Sequence, residues 1–198
     1  MMQAVVATHS AHKVSELRAI LGSVLPDLEL RSYDGPSPVE DGATFEANAL
    51  IKARAAFEHT GIAALADDSG ISVAALDGAP GIYSARYSAS GDDHDNLTLL
   101  LRNMEGVAAR ESVFVCAAAY VDAEGETVVR GEWPGELLTA ARGEGGFGYD
   151  PIFKPEGFEV SAAELTREVK NAESHRARAF HAIAALLQAR VADAADEA

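Results

Sequence analysis

The sequence predicts a mixed-sheet α/β protein, and three observations carry that prediction. Short apolar runs alternate with segments of helical period through the first half of the chain. A turn signal, Asp122-Ala123-Glu124-Gly125, joins two strand-like runs in the middle as a hairpin. No period of 20–50 residues recurs, which excludes a solenoid. The alternation asks for parallel strands linked by helices, and the hairpin asks for antiparallel pairing beside them.

The elements follow in order. Gln3 to Ala7 reads as a short buried strand. Thr8 to Lys13 is polar and offers good N-cap types before a helix whose apolar face is Val14, Leu17, Leu21 and Val24, ending near Pro26. Leu28 to Ser32 is a second strand. Asp34 to Gly42 is a loop that carries Glu40 and Asp41. Thr44 caps a helix with Phe45, Ala49, Ala53, Ala56 and Phe57 on its apolar face, and Asn48 and Lys52 lie one turn apart on a neighbouring face. Ile62 to Ala66 is a strand that ends in Asp67-Asp68-Ser69-Gly70, and Ile71 to Leu76 is another. Asp92 to Met104 is a helix, Ser112 to Val121 a strand, Glu126 to Arg130 its hairpin partner, and Glu136 to Ala141 one more strand. Ser161-Ala162-Ala163-Glu164 has capping-box form. Ser174 to Arg190 is a long helix with Ala179, Ile183, Leu186 and Arg190 in register. One domain over residues 1–190 is expected, with 191–198 as a flexible tail.

Charge narrows the function. The 198 residues include 16 basic and 31 acidic side chains, a formal charge of −15, with a pI near 4.7. Such a surface repels nucleic acid polymers and anionic membranes. A phosphate-bearing ligand must then be met by local cations, backbone amides or a metal ion. No apolar run approaches the roughly 20 residues of a membrane span, and the first residues lack the basic region of a signal peptide. A soluble, cytoplasmic protein is the expectation. The single cysteine, Cys116, lies in the apolar run Phe114 to Ala119 and reads as a small buried hydrophobe.

The motifs differ in weight. Gly143-Glu144-Gly145-Gly146-Phe147-Gly148 formally fits G-x-G-x-x-G. A dinucleotide fingerprint needs a helix at its third glycine, and Pro151 disfavours helix at Asp150. A loop that lets backbone approach a ligand remains open. Asp67-Asp68-Ser69-Gly70 supports two readings. All of these are turn residues. Paired carboxylates at a strand terminus also suit Mg²⁺, which takes carboxylate oxygens and leaves room for phosphates, with Glu40 on a separate loop as the second ligand. His9 and His12 lack the partners of a zinc site, and His59, His94 and His181 read as surface or helix-face residues. Lys13, Lys52, Lys170 and Arg176 each stand beside a polar, glycine-rich or acidic feature. A triphosphate with bound Mg²⁺ accounts for carboxylates and cations together.

At this point the residues resemble a known family. Ala7-Thr8 to Lys13, Thr44 to Ala49, Ala66 to Gly70, Gly78 to Tyr87, Gly146 to Phe153, Ala162 to Leu165 and Ser174-His175-Arg176 occur in the order found in the inosine triphosphate pyrophosphatases (Ham1/RdgB-type), the non-canonical purine nucleoside triphosphatases. They span residues 4 to about 187. The resemblance implies an elongated mixed sheet flanked by helices, two lobes and a central nucleotide-binding cleft, the ITPase/Maf-like fold. It implies hydrolysis of ITP, dITP and XTP to the monophosphate and pyrophosphate, with Mg²⁺ and as a homodimer.

Carried over by residue, Thr8, His9, Ser10, Ala11, His12 and Lys13 look like the triphosphate loop. Glu40 and Asp68 look like metal ligands, with Asp68 also the general base. Ser69, Phe147, Gly148, Tyr149, Asp150, Lys170, His175 and Arg176 look like substrate contacts, and Lys52 like a lysine beside the phosphates. The family's loop reads Thr/Ser-x-Asn-x-x-Lys; here Ser10 replaces the Asn. The implied reaction is in-line attack of water on the α-phosphorus. Asp68 takes the proton, and Lys13 and Lys52 stabilise developing charge. His175 and Arg176 are expected to donate to a 6-oxo group and Phe147 to stack on the base. A Maf-like pyrophosphatase for modified pyrimidine nucleotides and a non-catalytic nucleotide-binding regulator are the alternatives.

Overall fold

A computed structural model describes residues 2–196, with side chains described as far as Arg190. The mixed α/β prediction is borne out by six strands and five α-helices among the described residues. The strands, numbered along the chain, are β1 (Met2–Val6), β2 (Leu28–Ser32), β3 (Ala64–Val73), β4 (Glu111–Asp122), β5 (Gly125–Leu137) and β6 (Phe153–Pro155). The helices are α1 (Ala11–Val24), α2 (Phe45–Thr60), α3 (Asp93–Asn103), α4 (Arg167–Glu173) and α5 (His175–Asp196). The sheet order is β2-β1-β3-β4-β5-β6. β1 runs parallel to β2 and β3, and β5 runs antiparallel to β6. Helical crossovers and a hairpin thus meet in one sheet, as the pattern required.

Contacts divide the chain into two compact units. The first comprises Met1–Asp68, Cys116–Gly131 and Arg176–Ala198; the second comprises Ser69–Val115 and Glu132–His175. In the first unit, Leu17, Ile20 and Leu21 of α1 pack with Leu65, Cys116, Ala118, Phe180, Ile183 and Leu187. Cys116 is buried, as read, and burial raises its thiol pKa far above the ordinary value. In the second unit, Ile71, Val73, Leu100, Met104, Phe114, Trp133, Ile152 and Phe153 form the core.

Local signals explain the helix starts. Ser10 accepts from the Lys13 N–H and caps α1, Thr44 accepts from the Ala47 N–H and caps α2, and Asp92 accepts from the His94 and Asp95 N–H groups and caps α3. Each satisfies amides that have no helical acceptor. α2 ends on Gly61 in the left-handed region, φ 66°, where glycine carries no Cβ penalty. Ser161 and Glu164 make both capping-box bonds, but only for a single 3₁₀ turn.

Four expectations need correction. Asp67 to Gly70 is neither a turn nor a strand end: Ala64–Val73 is one strand, and Ala74–Leu76 is a 3₁₀ turn. Gly70 is required by contact, since a Cβ there would meet the Gly81 carbonyl oxygen at 2.5 Å and the Ser84 side chain. Glu126–Arg130 and Glu136–Ala141 are not two strands, because β5 continues through Gly131 and stops at Leu137. Leu186 is 45% exposed; the buried row is Ala179, Phe180, Ile183, Ala184 and Leu187, which keeps the i, i+3, i+4, i+7 period one residue away. α5 continues to Asp196, past the residue where a tail was expected, and residues 197–198 lie outside those described. The sequence pattern missed α4 and β6, which are seven and three residues long.

Candidate active site

In the first unit, β1 delivers the chain into the loop Ala7 to Ser10. The loop is shaped by its own side chains: Thr8 Oγ1 accepts from the Ser10 N–H at 3.1 Å, and Ser10 Oγ accepts from the Lys13 N–H at 3.4 Å. Thr8, His9, Ser10 and Lys13 line a cavity of about 270 Å³ together with Tyr33, Ser37, Pro38, Glu40 and Lys52. The other two residues of the expected phosphate loop, Ala11 and His12, are exposed and do not line it. A hollow of about 660 Å³ lies elsewhere in this unit, lined by Met2, Val24, Leu25, Pro26, Asp27, Leu28 and Gln188. It is the larger of the two, but it lacks any basic side chain and so offers nothing to a phosphate.

The adjacent carboxylates resolve their repulsion by residing on opposite faces of β3, where successive side chains alternate. Asp67 is 3% exposed and pairs with Lys13 Nζ at 3.0 Å and Arg176 NH2 at 3.3 Å. Burial opposes its charge, but Lys13, Arg176 and Lys52 together hold its pKa well below the usual carboxylate range. Arg176 NH1 reaches Glu16 at 2.6 Å. Asp68 faces Lys52 Nζ at 3.4 Å and accepts from Asn48 Nδ2 at 3.1 Å. Lys52 Nζ also meets Glu40 at 2.9 Å.

One ammonium therefore stands between the two expected metal ligands. Burial raises the pKa of Asp68, the Glu40 charge adds to that rise, and Lys52 and Asn48 oppose it. Burial works against the charge on Lys52, and Asp67, Asp68 and Glu40 outweigh it, so its pKa rises. Among the described residues no three His, Cys, Asp or Glu side chains converge as a ligand group. Glu40 and Asp68 still suit Mg²⁺, which binds through one or two carboxylates and completes its shell with water and phosphate. Their hard oxygens already converge on a cation.

The second unit holds the other candidates. Lys170 and Asp150 are 7% and 2% exposed and pair at 2.6 Å. Asp150 also accepts from the Phe147 N–H at 2.8 Å, and the Lys170 ammonium lies 4.7 Å from the centre of the Phe147 ring. The Gly148 N–H donates to Asp93 at 2.9 Å, and the Tyr149 hydroxyl donates to the Ser84 carbonyl at 2.8 Å. The glycine-rich stretch leads into a single 3₁₀ turn, Asp150–Ile152, so no helix opens there for a pyrophosphate. His175 stacks on Phe114, with centroids 4.7 Å apart and planes 8° from parallel. Ser69 follows Asp68 on β3 and is half-buried.

Arg176 is held by carboxylates. Its side chain is 1% exposed, and Nε, NH1 and NH2 all donate to carboxylates of Asp67 and Glu16. Burial without those partners would be costly for a guanidinium, and they hold it charged. It braces the carboxylates of the first unit. Asn48, Glu16 and Tyr33 were not among the sequence-derived site residues, and Asp67 entered only as one of the paired carboxylates. Asn48 had a signal, its spacing one turn before Lys52; the pairing of Arg176 with residues 109 and 160 positions away had none.

The chain matches the Ham1 family over residues 4–186. It belongs to that family. A relative from Leifsonia xyli subsp. xyli named dITP/XTP pyrophosphatase is 56% identical over 193 residues, covering 96% of this chain and 97% of that protein. The Ham1 protein of Staphylococcus aureus superposes with a TM-score of 0.86 at 34% identity, covering 95% of this chain and 99% of that one. A Ham1 protein from Coxiella burnetii gives 0.85 at 37% identity, with the same coverage. Within a Ham1 chain, Ser10 in the first loop keeps the capping duty, since serine and asparagine are comparable N-caps.

Proposed function

We propose that this Ham1-family chain hydrolyses non-canonical purine nucleoside triphosphates, dITP, ITP and XTP, to the monophosphate and pyrophosphate. The observation that carries the chemistry is the shared Lys52 ammonium between Glu40 and Asp68, on a cavity also lined by Lys13 and the Thr8 to Ser10 loop. Carboxylates and cations placed around one polar hollow suit a triphosphate and its counter-ion. The relative named dITP/XTP pyrophosphatase supports the substrate class.

In this reading Lys13 and Lys52 bind the polyphosphate and meet charge that grows on the leaving pyrophosphate. Asp68 orients the attacking water and takes its proton. Burial raises its pKa, which makes it a better base than an exposed aspartate. Without a bound cation, Asn48 and Lys52 hold the two oxygens of that carboxylate in place. Glu40 and Asp68 would hold Mg²⁺, which supplies charge neutralisation and a more acidic bound water. Arg176 keeps Asp67 and Glu16 ionised and fixed. His175 and Phe147 are assigned to the base on the strength of the resemblance, and the chain acts as a cytoplasmic homodimer.

The test is hydrolysis of ITP, XTP, GTP and ATP with and without Mg²⁺, with pyrophosphate resolved from orthophosphate. Pyrophosphate from ITP and XTP chiefly, and only with the metal, is the expected result. Orthophosphate as first product, or no turnover with ITP still bound, overturns the proposal. The second outcome would identify a binding protein.

A further inference from the structure

Asn48 lies on α2 one turn before Lys52, and its side chain is 1% exposed. A buried carboxamide demands partners for both its ends. Its Nδ2 donates to Asp68 Oδ2 at 3.1 Å, and its Oδ1 accepts from the Gly42 N–H at 2.8 Å. Gly42 belongs to the loop that carries Glu40. Lys52 Nζ spans the other two groups, Glu40 at 2.9 Å and Asp68 Oδ1 at 3.4 Å.

These contacts close a circuit. Asp68 is joined to Asn48, Asn48 to Gly42, Gly42 by two residues of backbone to Glu40, and Glu40 through Lys52 back to Asp68. The two bonds of Asn48 come from a neutral amide, whereas those of Lys52 come from a positive charge with which a cation would compete. Glu40 and Asp68 could hold a cation only in competition with Lys52 for their oxygens, and Asn48 would then be the remaining link between the two carboxylates. Gly42 itself fits only without a side chain, because a Cβ there would meet Asn48 Oδ1 at 2.6 Å and Ala47 Cβ at 2.8 Å. Glycine is needed here for close approach, not for an unusual φ.

We infer that Asn48 is a positioning residue that sets the separation of Glu40 and Asp68 and presents Asp68 Oδ1, rather than Oδ2, to the cation and the water. Asn48 touches neither substrate nor the reacting atoms. The inference rests on the proposed hydrolysis for its kinetic arm and on geometry alone for its binding arm.

The experiment compares Asn48→Ala, Gly42→Ala and the double variant with the unaltered chain. Mn²⁺ alone, without nucleotide, is titrated by electron paramagnetic resonance, and ITP kinetics are measured in parallel. Partners of this kind cost roughly 10- to 100-fold in metal affinity or turnover when removed. Asn48→Ala is expected to weaken Mn²⁺ and lower kcat by that order, with KM for ITP within about threefold because the phosphate loop is untouched. Gly42→Ala acts on the same amide from the other side, so the double variant should be no worse than the poorer single one.

Melting temperatures report folding. Should Asn48→Ala fail to fold, Gly42→Ala and Asn48→Ser carry the same comparison. Unchanged Mn²⁺ affinity and kcat in folded variants, or losses that add in the double variant, overturn the inference. An unaltered chain that binds Mn²⁺ but releases no pyrophosphate defeats the proposed function instead, and the Mn²⁺ arm still decides the role of Asn48.

Discussion

The two units hold their buried charges in contrasting ways. In the first, three cations (Lys13, Lys52 and Arg176) serve four carboxylates (Glu16, Glu40, Asp67 and Asp68) drawn from separate elements. In the second, one lysine serves one aspartate, Lys170 and Asp150, beside aromatic rings. That pair holds the Phe147 to Asp150 loop, since Asp150 also accepts from the Phe147 N–H. The larger cluster has more carboxylate than cation, so it retains capacity for a further positive charge. The difference is one of charge balance, although both are built from cationic and carboxylate side chains.

Substitutions can break that contrast or sharpen it. The largest effect is expected from Asp68→Asn. The amide keeps the shape and removes the base, so kcat for ITP should fall by roughly 10²–10⁴ with the fold intact. Near-normal turnover would place the base elsewhere.

Asp67→Ala strands Lys13 and Arg176 without their shared carboxylate. Loss of one partner from a buried pair typically costs about 3–5 kcal/mol, which urea denaturation would register. The pH dependence has a definite sign. The folded-state pKa of Asp67 is depressed, so its contribution is complete above the unfolded value near 4 and is lost as pH falls below that value. Asp67→Asn should flatten the acid limb of a stability-against-pH curve, and an unchanged limb would show that Asp67 is not its source.

Lys170→Met tests the other unit. It removes the ammonium that faces Asp150 and should cost a comparable amount, while Lys170→Met with Asp150→Leu should recover only part of the loss, since apolar replacement of a buried pair is often neutral but here the Phe147 N–H also loses its acceptor. The same logic fails in the first unit, where no single double replacement satisfies the remaining carboxylates. The smallest effect is expected from Ser10→Asn. The cap is preserved, and KM for ITP should stay level or fall; a several-fold loss of activity would mean that Ser10 itself grips the phosphate.

Much of this was legible before the structure. The strand at Ala64–Leu65, the helices capped by Ser10, Thr44 and Asp92 and the hairpin at Asp122–Gly125 all rest on local rules of period and capping. Lys13, Lys52, Glu40 and Asp68 stood out because charged residues beside apolar strand ends and loops need a reason. Illegible were α4 and β6, too short to show a period, and the extended path through Asp67-Asp68-Ser69-Gly70. There, turn-forming residue types were overruled by pairing in the sheet and by the tight contact of Gly70 with Ser84 and Gly81.

The sequence by itself determined the mixed α/β class, the starts of α1, α2 and α3, the burial of Cys116, and the resemblance that leads to the Ham1 family. Those follow from neighbours within a few positions or from motifs kept in order. Only the tertiary structure decided which cation meets which carboxylate. Lys13 goes to Asp67, Lys52 bridges Glu40 and Asp68, Asn48 ties Asp68 to Gly42, and Arg176 meets Asp67 and Glu16. Coulomb attraction has no sequence period. It acts between whichever groups the packing brings within a few ångströms, and in the low dielectric of the interior a charge left without such a partner is too costly to keep.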